Sequence, residues 1–145
     1  MLIERTVTVD RPQAEVFAYL ADFTTTTQWD PGTLRTTRMS GDGGVGTTYR
    51  NVSRFLGRRT ELTYVVTDHQ SPELLQLRGE NDSVVAHDTM TLAGTPYGAT
   101  TISYRAEFEF KGWARLAAPL AAPALRRLGD RAARGLRSAL DSPDP

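Results

Sequence analysis

Residues 47–110 read as five consecutive strands, and no other feature of the 145-residue chain narrows its fold so far. The runs 47–55, 58–68, 73–80, 83–92 and 99–110 are separated only by LG, QSP, END and AGTPYG, connections too short to carry a helix. Strands joined this tightly pair antiparallel, as a meander. In the last run Ile102, Tyr104, Ala106, Phe108 and Phe110 alternate with Thr101, Ser103, Arg105, Glu107 and Glu109, so one face is buried and the other wet.

Around the meander the signals change. Ile3, Val7 and Val9 alternate with Glu4, Thr6 and Thr8, which predicts a first strand. Asp10 is placed to cap a following helix, with Pro12 in its first turn and Val16, Phe17 and Leu20 as its apolar stripe. FTTTTQWDPG predicts a second short helix or turn ended by Pro31-Gly32, then a weak strand at 34–40 and a loop at SGDGGVG. From Trp113 to Leu140 the period becomes helical. Leu116, Leu120, Leu125, Leu128, Ala132, Leu136 and Leu140 recur on one side, with arginines mostly between them. Pro119 and Pro123 are expected to bend or delay this helix, and Gly129 and Gly135 to weaken it. The fold class is α+β: a seven-stranded antiparallel sheet, two short helices after strand one, and a long C-terminal helix. One domain is expected over 1–140, with 141–145 as a disordered tail.

Opposite residues in an antiparallel pair share a face, so the inward sets of neighbouring strands must match. Taking Thr60, Leu62, Tyr64 and Val66 as inward puts Tyr49 opposite Tyr64 and Asn51 opposite Leu62. The following turns pair Val66 with Leu75, Tyr64 with Leu77, Leu75 with Asp88 and Leu77 with Ala86. Asp88 then falls near Tyr104, and Ala86 near Ala106. The inward face therefore carries Tyr49, Asn51, Ser53, Tyr64, Asp88 and Tyr104, with Gly79, Ala86 and Ala106 leaving volume unfilled. In a dry core each unpaired hydroxyl or amide costs roughly 1–3 kcal/mol, and an ionised carboxylate more. Polar groups in this number are easier to accommodate around a ligand-filled hollow.

Charge and composition exclude several classes. The 17 basic and 17 acidic residues cancel, leaving no global field to collect nucleic acid. Without cysteine there is neither a disulfide framework nor thiolate chemistry. Acidic residues interrupt MLIERTVTVDRP, no apolar region follows it, and no stretch is long enough to span a bilayer, so a cytoplasmic location is expected. SGDGGVG lacks the lysine of a phosphate-binding loop. His87 is expected opposite Gln76, and His69 in the turn before the fifth strand. Both have outward parity, so no metal site and no histidine base are expected.

The ordered set VDRPQAEVFAYLADF, TQWDPG, GVGTTY, FLGRRTELTYVV and the Arg-rich helix after GW resembles the START-like superfamily (SRPBCC), in its polyketide cyclase/dehydrase-like branch. The resemblance covers about Ile3 to Leu140 and implies a helix-grip fold. In that fold a curved sheet wraps the last helix, with a cavity between them for a small hydrophobic molecule. It further implies SGDGGVG as a flap at the cavity mouth. The family hosts cyclases, aromatases, lipid and hormone carriers and co-chaperone modules, so the fold does not select an activity.

These readings converge on a ligand-binding set: Trp29, Tyr49, Asn51, Ser53, Leu62, Tyr64, Leu77, Ala86, Asp88, Met90, Tyr104, Ala106 and Phe108. The expected ligand is lipid-like or polycyclic, with no cofactor and no metal. Asp88 and Tyr104 are the candidates for catalysis, in a cyclase or dehydrase of lyase type, where they would exchange protons with an enolisable ketone. Alternatively Asp88 forms a structural ion pair with Arg5, which shares a strand face with Ile3 and Val7. Trp29, Trp113, Phe23 and Met39 are expected in the core or cavity wall. The last helix is read as core-facing leucines with solvated arginines, and its basic amphipathic character as the case for a membrane-surface or protein-docking module. The oligomeric state is left open.

Overall fold

The computed structural model describes residues 1–141. Strand β1 (Leu2–Val9) leads into helix α1 (Gln13–Ala21), a 3₁₀ turn (Phe23–Thr25) and the short helix α2 (Thr26–Trp29). Then come β2 (Thr33–Ser40), β3 (Thr48–Phe55), β4 (Arg58–Gln70), β5 (Leu74–Glu80), β6 (Val84–Gly94) and β7 (Thr100–Phe110), followed by α3 (Ala114–Asp141). The strands form one antiparallel sheet in the order β1-β7-β6-β5-β4-β3-β2, so the meander closes on β1 at one side and ends with β2 at the other. This is the seven-stranded α+β helix-grip architecture, with α3 against the concave face.

Local chemistry differs from expectation at two helix starts. Pro12, not Asp10, is the N-cap of α1 and offers no side-chain bond; the Asp10 amide instead donates to Asp141 Oδ1 at the end of α3 (2.8 Å). Residues 142–145, the rest of the expected tail, lie outside the described residues. Helix α3 also starts early and runs through Pro119 and Pro123. Its first amides, at Ala114, Arg115 and Leu116, bond back to Lys111, Gly112 and Trp113 in a tight initial turn.

The glycines of α3 are contact points rather than weak points. A Cβ on Gly135 would lie 1.9 Å from the Trp29 carbonyl oxygen, and one on Gly129 would lie 2.7 Å from Ile3 Cγ2. Only glycine lets α2 and β1 approach α3 this closely. The buried stripe of α3 is Ala121, Leu125, Gly129, Ala132, Leu136 and Leu140. Leu116 and Leu120 are exposed, as is Trp113 at 88%, because the first turns of α3 reach beyond the core. Met39 is exposed on β2 as well, so Trp113 and Met39 are not wall residues; Trp29 and Phe23 are buried.

The strand register keeps the expected parity but slips by two residues. Tyr49 faces Tyr64 and Asn51 faces Leu62, as the turn at Leu56-Gly57 requires. Beyond that, Val66 pairs with Leu77, Leu77 with Asp88, and Asp88 with Ala106. Tyr64 pairs with Gly79, and its ring occupies the space the glycine leaves, where a Cβ would stand 2.6 Å from Cε1 and Cζ. A slip of two preserves the facing and changes only the neighbours.

An irregularity between Val66 and Asp68 has the opposite effect and reverses facing locally. His69 therefore lies in β4 opposite Leu75 and packs edge-on against the Phe17 ring, with centroids 5.1 Å apart. It does not have the outward parity expected of it. His87 faces outward, opposite Arg78 rather than Gln76.

Candidate functional site: a cavity under the last helix

Two apolar clusters divide the concave face. At one end Val16, Phe17 and Leu20 of α1 pack with Leu75, Leu77 and Met90 of the sheet and Leu136 of α3. At the other, Ile3, Ala121 and Leu125 pack with Phe55, Phe108 and Phe110. Between them lies a cavity of about 340 Å³, toward the lower end of the roughly 300–1,000 Å³ typical of small-molecule sites. Helix α3 turns only alanine, leucine and glycine toward it. Polar chemistry comes from the sheet, from α2 and the turn after it, and from the β5–β6 turn.

Most of the expected site residues border this space. Trp29, Asn51, Ser53, Leu62 and Tyr64 line it from α2, β3 and β4, and Asp88, Tyr104, Ala106 and Phe108 from β6 and β7. Four do not. Leu77 and Met90 sit in the packed cluster beneath α1, and Ala86 lies in the sheet between Gly79 and Phe108. Tyr49 packs on the Phe23 ring and borders a separate groove with Asp22, Arg38 and His69. The parity of all four is inward, but α1 covers the part of the sheet that holds Leu77 and Met90. SGDGGVG contributes Asp42, Gly43 and Gly44 to the same groove and none of the main lining, so it is not a flap over the cavity.

The interior polar groups fall into two kinds. Asn51 Nδ2 donates to Thr33 Oγ1 (3.2 Å) and Thr36 Oγ1 (2.9 Å), and Thr36 in turn bonds Thr26 Oγ1 (2.6 Å). Ser53 Oγ bonds Thr60 Oγ1 at 3.1 Å. These groups are satisfied by the protein itself and brace β2, β3 and β4. Asp88, Tyr104 and Tyr64 are different. Asp88 is buried, with the Tyr104 hydroxyl as its hydrogen-bonding neighbour. Tyr64 is buried, lines the cavity, and its hydroxyl has no hydrogen-bond partner among the described residues.

One carboxylate escaped sequence reasoning. Asp30, in the turn after α2, also lines the cavity; its Oδ1 accepts from the Gly32 amide (3.1 Å) and its Oδ2 from Thr33 Oγ1 (3.0 Å). Burial raises its pKa against the lowering effect of those bonds. Burial is likewise the main cause that pushes Asp88 up to about 7, with the Asp30 charge adding and Tyr104 opposing. Both tyrosine hydroxyls are held well above the usual phenol range, by burial first and then by Asp88.

The Asp88–Arg5 ion pair does not form. Arg5 Nε bonds Asp130 Oδ1 at 2.7 Å and Nη2 the Arg126 carbonyl at 3.2 Å, so the guanidinium is drawn across the flank of α3. Arg54 is the only basic residue among the described lining, and it is exposed. Among the described residues Asp88 is thus a buried carboxyl with no cation paired to it. Among the described residues no group of three His, Cys, Asp or Glu side chains is arranged to hold a metal ion, and no helix is long and apolar enough to cross a membrane.

The sheet thus grips the terminal helix, with a partly polar cavity between them. The chain belongs to the family described as polyketide cyclase / dehydrase and lipid transport, which matches residues 2–141. Solved structures agree on the fold. The Zhui aromatase/cyclase from Streptomyces sp. R1128 superposes with a TM-score of 0.83 at 15% identity, over 97% of this chain and 93% of that one. A START superfamily protein from Mycobacterium smegmatis gives 0.77 at 14% identity, over 96% of each. The di-domain ARO/CYC BexL from the BE-7585A biosynthetic pathway gives 0.70 at 13% identity, over 100% of this chain and 51% of that one. No curated protein gives a significant match.

Proposed function

We propose that this protein binds a small, largely hydrophobic molecule, lipid-like or polycyclic, in the cavity between the sheet and α3. The observation that carries this reading is the cavity itself: about 340 Å³ walled by aromatic and aliphatic side chains, with Asp88, Tyr104 and Tyr64 converging on it. Affinity would come from apolar burial, at about 25 cal/mol per Å² of surface removed from water, and the polar groups would fix orientation.

A cyclase or dehydrase activity is the second reading, and one observation favours it. Asp88 stands near neutrality beside a phenol, as a group that both takes and returns a proton at physiological pH should. Asp88 would then remove a proton α to a ligand carbonyl, and Tyr104 would hydrogen-bond the enolate oxygen.

Native mass spectrometry of the gently purified protein tests the binding reading, with Ala106→Trp as the control. Ala106 is buried on the cavity wall between Ile3 and Asp88, so an indole there would fill the space the ligand needs. A ligand retained by the parent and lost from a folded variant supports the proposal. A variant that unfolds, from a parent that retains nothing, refutes it: position 106 would then be packed core.

A further inference from the structure

Two carboxyl groups line the cavity, and among the described residues the only basic side chain on its lining is the exposed Arg54. Asp88 enters from β6 and Asp30 from the turn after α2, close enough that the Asp30 charge opposes ionisation of Asp88. The groups facing Asp88 are Asp30, the Tyr104 hydroxyl from β7 and, from β4, Tyr64. None is a cation. The nearest candidate on β1, Arg5, is engaged by Asp130 and the Arg126 carbonyl. The α3 wall offers only apolar residues and glycine.

Carboxylates left this way in an apolar enclosure are costly unless something pairs with them. The surroundings suit a positive charge in particular. Trp29, Phe23, Tyr64, Tyr104 and Phe108 surround the space, and aromatic faces attract cations. The Tyr64 hydroxyl, unpartnered and turned into the cavity, supplies a further acceptor.

We infer that the ligand is a lipophilic amine: an apolar ring or chain bearing one protonated nitrogen, which sits between Asp88 and Asp30 while its body occupies the Ile3–Phe108–Leu125 end. This rests on the ligand-binding reading above and narrows it to one chemical class. A neutral lipid or polyketone would satisfy the apolar walls equally well but would leave the carboxylates unpaired. The amine satisfies both.

Three probes of one shape test this by titration calorimetry on the full chain: 2-(aminomethyl)naphthalene, 2-(hydroxymethyl)naphthalene and 2-naphthoate. The amine should bind at least about tenfold tighter than the alcohol at pH 8, the difference that a charge-assisted hydrogen bond supplies. The naphthoate should bind most weakly. The amine's advantage should shrink from pH 8 to pH 5.5, as Asp88 takes up its proton, while affinity for the alcohol stays level. Asp88→Asn should bring amine and alcohol together with the fold intact by circular dichroism. Two results overturn the inference and leave the cavity reading standing: an alcohol that binds as tightly as the amine, or an amine preference that survives Asp88→Asn. If none of the three probes binds and nothing is retained in native mass spectrometry, both readings fall.

Discussion

Replacing Asp88 by Asn should stabilise this protein at neutral pH, and the size of the effect follows from the site. The folded carboxyl titrates at about 7 against an ordinary value of 3.8. A gap of roughly three units corresponds to about 4 kcal/mol. Because the folded state holds this proton more tightly than the unfolded chain, it binds more protons between those two values, and stability falls as pH rises through that window. The loss starts above 3.8, accumulates up to about 7 and is complete beyond it. Asparagine keeps the shape and cannot ionise. The two proteins should therefore be similarly stable near pH 4, with the variant ahead by up to about 4 kcal/mol at pH 7.5. Urea unfolding of both proteins at half-unit steps from pH 4.5 to 8 measures the gap, and contributions from other titrating groups largely cancel in the difference. A gap that stays flat with pH, or a variant less stable than its parent at pH 7.5, refutes the reasoning: Asp88 would then be paired with a cation, as the alternative Arg5 partnership required. Retaining so costly a group is the pattern of a site kept for binding or chemistry at the expense of stability.

Other outcomes follow from close contacts. Gly135→Ala should lose about 1–3 kcal/mol despite alanine's better helix propensity, since its Cβ would collide with the Trp29 backbone at 1.9 Å; a variant of higher melting temperature would show that α2 is not pinned to α3 there. Gly79→Ala should force the Tyr64 ring off the sheet into the cavity, and ligand retained at the parent's level would contradict that placement. The two tryptophans should diverge: Trp29→Ala should cost about 3–5 kcal/mol, whereas Trp113→Ala should stay within about 0.5 kcal/mol in the same denaturation assay.

The site was legible to the extent that strand parity reports it. Asn51, Ser53, Tyr64, Asp88 and Tyr104 could be placed on the inner face because side chains alternate with period two, a rule that holds whatever the sheet packs against. The same rule promoted Tyr49, Leu77, Ala86 and Met90, which share that face but lie under α1 or within the sheet. Nothing in a strand's own pattern says which end of it a distant helix will cover. His69 failed for a local reason, because a bulge reverses parity without a marked signal in TYVVTDHQ.

Asp30 shows where local reasoning stops. In TQWDPG it reads as a turn residue, and it is one, accepting from Gly32 and Thr33 as aspartates in turns do. Its second role exists only because α2 folds back beneath α3 and presents that turn to the cavity. Arg5 is the converse: β1 parity offers it to Asp88, but packing of α3 brings Asp130 to it first.

The order of elements, the antiparallel pairing and the facing of strand residues away from the β4 bulge were thus written in the chain, since hydrogen-bonding period and turn length are properties of consecutive residues. Which inward residues border the cavity, and that Asp30 and Asp88 both line it, depended on how α1, α2 and α3 divide the concave face. Those contacts join residues far apart in sequence, and their energies arise from volume and burial that no single segment encodes.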